Sequence, residues 1–235
     1  MCCLAVLKKY AAYTYLKKDS LNQENKHHAK NLHLLQDALE IQLMRQGFAS
    51  GYDFATQILG QCIIYQKKRS FLLPKIEELK ISNKNCKILH LLSGGKGAPT
   101  KKVGSETINL LRKHSLHDEF QKTSEELLDY FILTLKEGSL SSPDLREKFF
   151  STIEKHRKVL QKSPYYPHKL HQIISLQKNY NKSWTYKTTG AGGEDALLFI
   201  GSEENLKSVF KTMEELGWKK INKNFKSKKL IIEKI

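Results

Sequence analysis

Nothing in this chain has the cysteine spacing of a zinc knuckle or a redox pair: its four cysteines are Cys2, Cys3, Cys62 and Cys86, and no two form Cys-x-x-Cys. A reduced, cytoplasmic setting is expected. Long apolar runs are also missing. Met1 to Leu7 is apolar, but Lys8 and Lys9 end it well short of a signal peptide or a membrane span. Internal repeats and low-complexity tracts are absent. Acidic side chains are few, 24 against 40 Lys and Arg, and the resulting net charge of +16 favours an anionic partner. Nucleic acid, a membrane surface and a phosphorylated metabolite all satisfy that charge. The lysines are spread along the chain, however, and the densest tract, Lys219 to Lys234, alternates with Ile221, Phe225 and Leu230. Alternation of this kind marks the solvated face of ordinary strands, which sets nucleic acid below a metabolite.

What is present is enough apolar material, 40% of 235 residues, for one large domain or two small ones. Apolar residues from Cys3 to about Leu16 follow a helical period, with no cap residue ahead of them. A polar stretch, Asp19 to Lys30, leads into a second helix with Leu32, Leu35, Leu39 and Leu43 on one face, ending near Gly47. A turn at Ser50 to Asp53 feeds a short helix, Phe54 to Leu59, and then a strand at Cys62 to Tyr65. The lysine-rich piece from Gln66 to Asn85 holds one more possible strand and the seam between two domains, placed at 1–85 and 86–235.

Beyond the seam the pattern predicts a strand at Lys87 to Leu92, a small-residue turn from Ser93 to Thr100 and a run of helices. Ser124 is read as the cap of one, Ser142 with Pro143 as the start of another, and Pro167 as the start of a third. Two strands, Ser183–Thr188 and Ala196–Ile200, flank a glycine turn. A helix capped by Ser202 follows, with Leu206, Val209, Phe210, Met213 and Leu216 on one stripe, and strands at Trp218–Ile221 and Lys229–Glu233 close the chain.

Two stretches carry candidate chemistry. Thr188 to Asp195 packs Gly190, Gly192 and Gly193 between two strands, where one glycine would serve a plain hairpin. Backbone without side chains approaches ligands closely, and successive amides can cradle phosphate oxygens; a bulged hairpin needing positive φ explains the same residues equally well. Gly47, Ser50, Gly51 and Asp53 form the second stretch. A carboxylate near a helix N-terminus stays ionised and can accept a proton from a hydroxyl, although capping is the commoner role for such an aspartate. His114/His117 and His168/His171 share helix faces, but no carboxylate or cysteine completes a metal site, so they read as exposed polar faces. His156, on an apolar stripe, reads as packed or hydrogen-bonded.

Taken in order, Gly47-Phe-Ala-Ser-Gly-Tyr-Asp53, Ser93-Gly-Gly-Lys-Gly-Ala-Pro-Thr100, His156-Arg157 and Lys187-Thr-Thr-Gly-Ala-Gly-Gly-Glu-Asp195 resemble the GHMP family of small-molecule kinases, and within it the phosphomevalonate kinases most. The resemblance implies an α+β fold of two-layer sandwich type, with an incomplete N-terminal domain over 1–85 and a ferredoxin-like C-terminal domain over 86–235. It implies transfer of the γ-phosphoryl of ATP, with Mg2+, to an alcohol or, in phosphomevalonate kinases, to an existing phosphate, in the mevalonate pathway of isoprenoid synthesis, with mevalonate or a sugar phosphate as other acceptors. Asp53 falls on the residue that orients or deprotonates the acceptor. Ser50, Gly51, Ala98, Thr100, Lys187, Gly190, Ala191, Gly192, Gly193 and Asp195 fall on substrate-side positions, and no metal ligand is assigned.

Glu194 departs from the pattern, since the family usually has glycine there. A larger departure lies at the front: the family's Gly-Leu-Gly-Ser-Ser turn is missing, as is an N-terminal lysine, and Met1 to Leu7 looks like the helix that should follow that turn. Phosphoryl transfer rests on positioning and charge neutralisation, so a site without its phosphate cradle is expected to be slower by orders of magnitude. The expectation is therefore a truncated or inactive kinase with an N-terminal fragment as a partner. The alternatives are a non-catalytic GHMP fold that binds an anionic metabolite or a partner protein and, more remotely, an RNA-binding protein.

Overall fold

A computed structural model describes residues 23–46, 51–59, 63–66, 75–78, 88–95, 100–137, 140, 142–189 and 193–221. They fall into two compact units, one up to Glu78 and one from Ile88. The predicted helix at Cys3–Leu16 and strand at Lys229–Glu233 lie outside the described residues.

In the first unit, helix α1 (Gln23–Gln46) buries Leu35 and Leu39, one turn apart, against Ala55 and Ile58 of α2 (Tyr52–Leu59). α1 starts within the stretch read as a polar lead-in. Gln23, Glu24 and Lys26 are fair helix formers with no breaker among them, so the helix propagates outward from its packed part. Strands β1 (Ile63–Gln66) and β2 (Lys75–Glu78) pair antiparallel, with Tyr65 opposite Ile76. Gly51 joins these parts at φ +83°, where a Cβ would stand 2.2 Å from Leu39 Cδ2 and 2.6 Å from the Tyr65 hydroxyl. The positive φ favours glycine at that crossing.

The second unit runs β3 (Leu89–Ser93), α3 (Thr100–Lys113), α4 (His117–Glu137), α5 (Pro143–Leu160), α6 (His168–Ser175), β4 (Trp184–Thr188), β5 (Ala196–Gly201), α7 (Glu203–Glu215) and β6 (Lys219–Lys220). The strands form one sheet of order β4-β5-β3-β6, and every neighbouring pair is antiparallel. Alternation along β5 sorts the core. Leu197 and Phe199 join Trp184, Tyr186 and Leu92 under α6 and α7, while Ile200 joins Leu89 under α4 and α5 through Leu127, Phe149 and Ile153. Helices therefore cover both faces of this sheet, where two layers were expected: the long run of helices between β3 and β4 supplies more apolar surface than one face can bury. Fully buried Trp184, Tyr186 and Phe199 each contribute about 2–3 kcal/mol of burial free energy.

Local signals held unevenly. Ser202 accepts from the Asn205 amide at 3.3 Å and caps α7, whose buried stripe includes Leu206, Val209, Phe210 and Met213, but Leu216 is 47% exposed beyond the last turn. Ser142 and Pro143 do start α5, although the Ser142 side chain makes no capping bond. Ser124 is no cap at all. It lies in the middle of α4, its hydroxyl donating to the Phe120 carbonyl at 2.7 Å, because Asp118 and Glu119 already supply the acidic first turn that favours an earlier start.

Candidate functional site

Antiparallel pairing of β3 with β5 sets Ser93 opposite Ala196, so the turn after β3 and the turn before β5 leave the sheet at the same end. There the two predicted motifs meet. The Gly94 amide and the Ser93 hydroxyl both donate to the Asp195 carbonyl, at 3.0 and 3.2 Å, and the Gly95 amide donates to the Ser93 hydroxyl at 3.3 Å. A Cβ on Gly94 would stand 2.4 Å from the Glu194 carbonyl, so the contact between the turns requires glycine. On the other side of the hairpin the Thr189 hydroxyl donates to the Ala196 carbonyl at 3.1 Å.

Further elements converge on the same end. α3 opens at Thr100 with Lys101 and Lys102 in a first turn that contains no acid; a helix N-terminus is already positive, so the local field favours an anion. From its second turn Glu106 accepts from the Tyr165 hydroxyl at 2.6 Å, which raises the Tyr165 pKa. The Tyr165 carbonyl is 4.0 Å from where a Cβ of Gly193 would stand, and Gly193 itself sits at φ +143°. Asp195 is exposed, with Oδ1 accepting from the Ala196 amide at 2.9 Å.

Lys187, at the end of β4, points elsewhere. It lines a cavity of about 440 Å³ between β4 and helices α3, α4 and α5. Its Nζ donates to the Thr188 carbonyl at 2.7 Å, and burial lowers its pKa to about 8. His156 lines the same cavity, 3.2 Å from the Ser124 hydroxyl and tilted over Phe120 at 5.0 Å, so it is both packed and hydrogen-bonded. Burial, and then the Lys187 charge, push its pKa down to about 4.

Of the other predicted residues, Gly51 precedes α2 and Asp53 lies in the first turn of α2, in the first unit. Ser50, Ala98, Gly190, Ala191 and Gly192 lie outside the described residues. Among the described residues no group of three or more His, Cys, Asp or Glu could hold a metal ion, and no helix is long and apolar enough to cross a membrane. His171, read as part of an exposed face, is instead half-buried, with Nδ1 2.9 Å from the Tyr186 hydroxyl.

One cluster was given no role, although its arginine belongs to the His156-Arg157 stretch. Arg157 is buried behind β4, paired with Glu154, over the rings of Tyr186 and Tyr180 at 4.8 and 5.3 Å. Asn181 donates to the same Glu154 at 2.8 Å. The signal was in the sequence: Phe149, Ile153 and Arg157 recur every four residues, which puts an arginine on an apolar stripe.

No protein-family model and no curated protein matches the sequence. Solved structures do. A Lin0012 protein from Listeria innocua aligns with a TM-score of 0.60 at 19% identity, over 80% of this chain and 57% of that one. The Streptococcus pneumoniae phosphomevalonate kinase gives 0.55 at 16%, over 86% and 62%. The L. major mevalonate kinase, solved with R-mevalonate, gives 0.56 at 14%, over 79% and 54%. This chain thus spans less than two thirds of the length of each. Likeness at such identities speaks to architecture rather than activity, and on that ground the chain has the fold of the GHMP kinases.

Proposed function

We propose that this chain is a phosphomevalonate kinase-like phosphotransferase of the mevalonate pathway, taking a phosphorylated small molecule as acceptor in the cytoplasm. The observation that carries the reading is the junction of Ser93–Gly95 with Glu194–Asp195 at one sheet end, within a GHMP-kinase fold. A solved complex of the Streptococcus pneumoniae enzyme contains phosphomevalonate and AMPPNP, which supports the same substrate class here. We take residues 1–85 and 86–235 as the two domains. For the second, the βαββαβ order and the sheet order β4-β5-β3-β6 support a ferredoxin-like plait.

In this reading Asp53 orients or deprotonates the acceptor. Ser50, Gly51, Ala98, Thr100, Asp195 and the glycine turn of Gly190, Ala191, Gly192 and Gly193 are assigned to the substrate, and Lys102 adds positive charge in the first turn of α3. Lys187 steadies the root of that turn through Thr188. The fold family implies ATP and Mg2+; among the described residues no three His, Cys, Asp or Glu gather, and the Glu194 carbonyl lies where a Cβ of Gly94 would stand.

A second reading, a non-catalytic fold that binds an anionic metabolite or a partner protein, is favoured by the net charge of +16. Coupled ADP release with phosphomevalonate and with mevalonate, alongside calorimetry, separates the two. Turnover that requires Asp53 supports the kinase, and phosphomevalonate binding without turnover supports the binder. Neither turnover nor binding would overturn both.

A further inference from the structure

The cavity above β4 has a chemistry of its own. Its walls are Ile108 and Leu111 of α3, Leu128 and Phe131 of α4 and Leu160 of α5, and its volume of about 440 Å³ is that of a small-ligand pocket. Ile108 and Leu128 are 39% and 47% exposed, so the cavity leaves apolar surface open to water. Lys187 and His156 line the same space.

We propose that this cavity binds a small amphipathic anion, with a carboxylate or phosphate head on the Lys187 ammonium and a hydrocarbon body against α3 and α4. Lys187 is half-buried, and no carboxylate among the described residues forms an ion pair with it; an ammonium partly withdrawn from water gains from a counter-charge. Among the described residues its hydrogen bond is to the Thr188 carbonyl, which uses one of the three protons of an ammonium. His156 adds no competing charge, because burial and the neighbouring ammonium keep it neutral above about pH 4. The inference needs neither Asp53 nor the glycine turn and is independent of the kinase reading.

The test is calorimetry on the full chain at pH 7 with octanoate, octyl phosphate, octanol and octylammonium. The two anions should bind at least tenfold more tightly than octanol, and octylammonium should not bind; the ratio between the anions identifies the preferred head. Lys187→Met should weaken the anions at least tenfold and leave octanol unchanged. If that variant does not fold, the wild-type chain still decides. Raising the pH through about 8 neutralises Lys187 and should weaken the anions alone, since among the described residues His156 is the only other titratable group lining the cavity from α3, α4, α5 or β4. No saturable binding of either anion, octanol binding as tightly as octanoate, or anion affinity indifferent to both Lys187→Met and pH would overturn the proposal.

Discussion

Arg157 donates from Nη1 to the Tyr186 carbonyl at 2.7 Å, fastening α5 to the edge strand that runs into the glycine turn. The guanidinium is 2% exposed and spends its other side on Glu154. Beyond it, the Tyr186 hydroxyl meets those of Tyr166 at 3.2 Å and the His171 ring at 2.9 Å, so the strand is held from backbone and side chain at once.

Breaking that tie should be expensive. Arg157→Met leaves Glu154 without its cation and the Tyr186 carbonyl without its donor, and should cost about 3 kcal/mol. Arg157→Lys should recover little, because an ammonium cannot reproduce the planar fork or its stacking on Tyr180 and Tyr186. Urea unfolding followed by tryptophan fluorescence reads both. A loss below about 1 kcal/mol for Arg157→Met would contradict the assignment.

Two adjacent glycines should respond differently to alanine. At Gly94 the new methyl would stand 2.4 Å from the backbone oxygen of Glu194 and 2.8 Å from Trp218. The turns would have to separate, at a cost of about 2 kcal/mol or more. Gly95 has φ +73° but open space around it, so alanine there should cost only about 1 kcal/mol of backbone strain. Equal effects at the two positions would mean that the turns do not touch as described.

Stability should fall on mild acidification. Burial is the main cause that holds His156 and His171 near pKa 4 in the folded protein, against about 6.5 in an unfolded chain. Below about pH 6.5 the unfolded state takes up protons that the folded state refuses, so stability drops between about pH 6.5 and 4 and owes no pH dependence to these groups above that window. Urea midpoints at pH 7.5 and 5 should differ in this direction. The difference should shrink in His156→Leu and shrink further with His171→Phe added; an unchanged slope in the double variant would rule the account out.

If the chain turns over phosphomevalonate, Asp53→Asn should lower kcat by about 10²- to 10⁴-fold with little change in KM, as expected for a group acting on the acceptor proton. Steady-state ADP release measures both constants. Retained kcat would assign Asp53 to helix α2 rather than to chemistry.

Local grammar was the most legible part of the sequence. The cap at Ser202 and the α7 stripe were readable because both signals lie within a few residues of each other, and the hairpin around the glycine turn was readable for the same reason. Ser124 misled because a serine before an apolar stripe looks like a cap whether or not the helix has already begun; the earlier acids at Asp118 and Glu119 decided it. Packing across the chain was far less legible. Gly94 touching Glu194, and Arg157 reaching Tyr186, depend on which strand lies beside which, and no spacing rule encodes that. Lys187 illustrates the limit: its motif suggested a substrate residue, whereas strand alternation turns its side chain towards the helices.

The pairing of Ser93 with Ala196 also bears on how the protein is made. β3 sits between β5 and β6, and both of its partners follow it by about a hundred residues or more. A ribosome must therefore release the whole helical insert before the middle strand of the sheet finds either neighbour. Closing so large a loop is slow, and until it closes Leu89 and Leu92 present an unpaired apolar edge of the kind that chaperones bind.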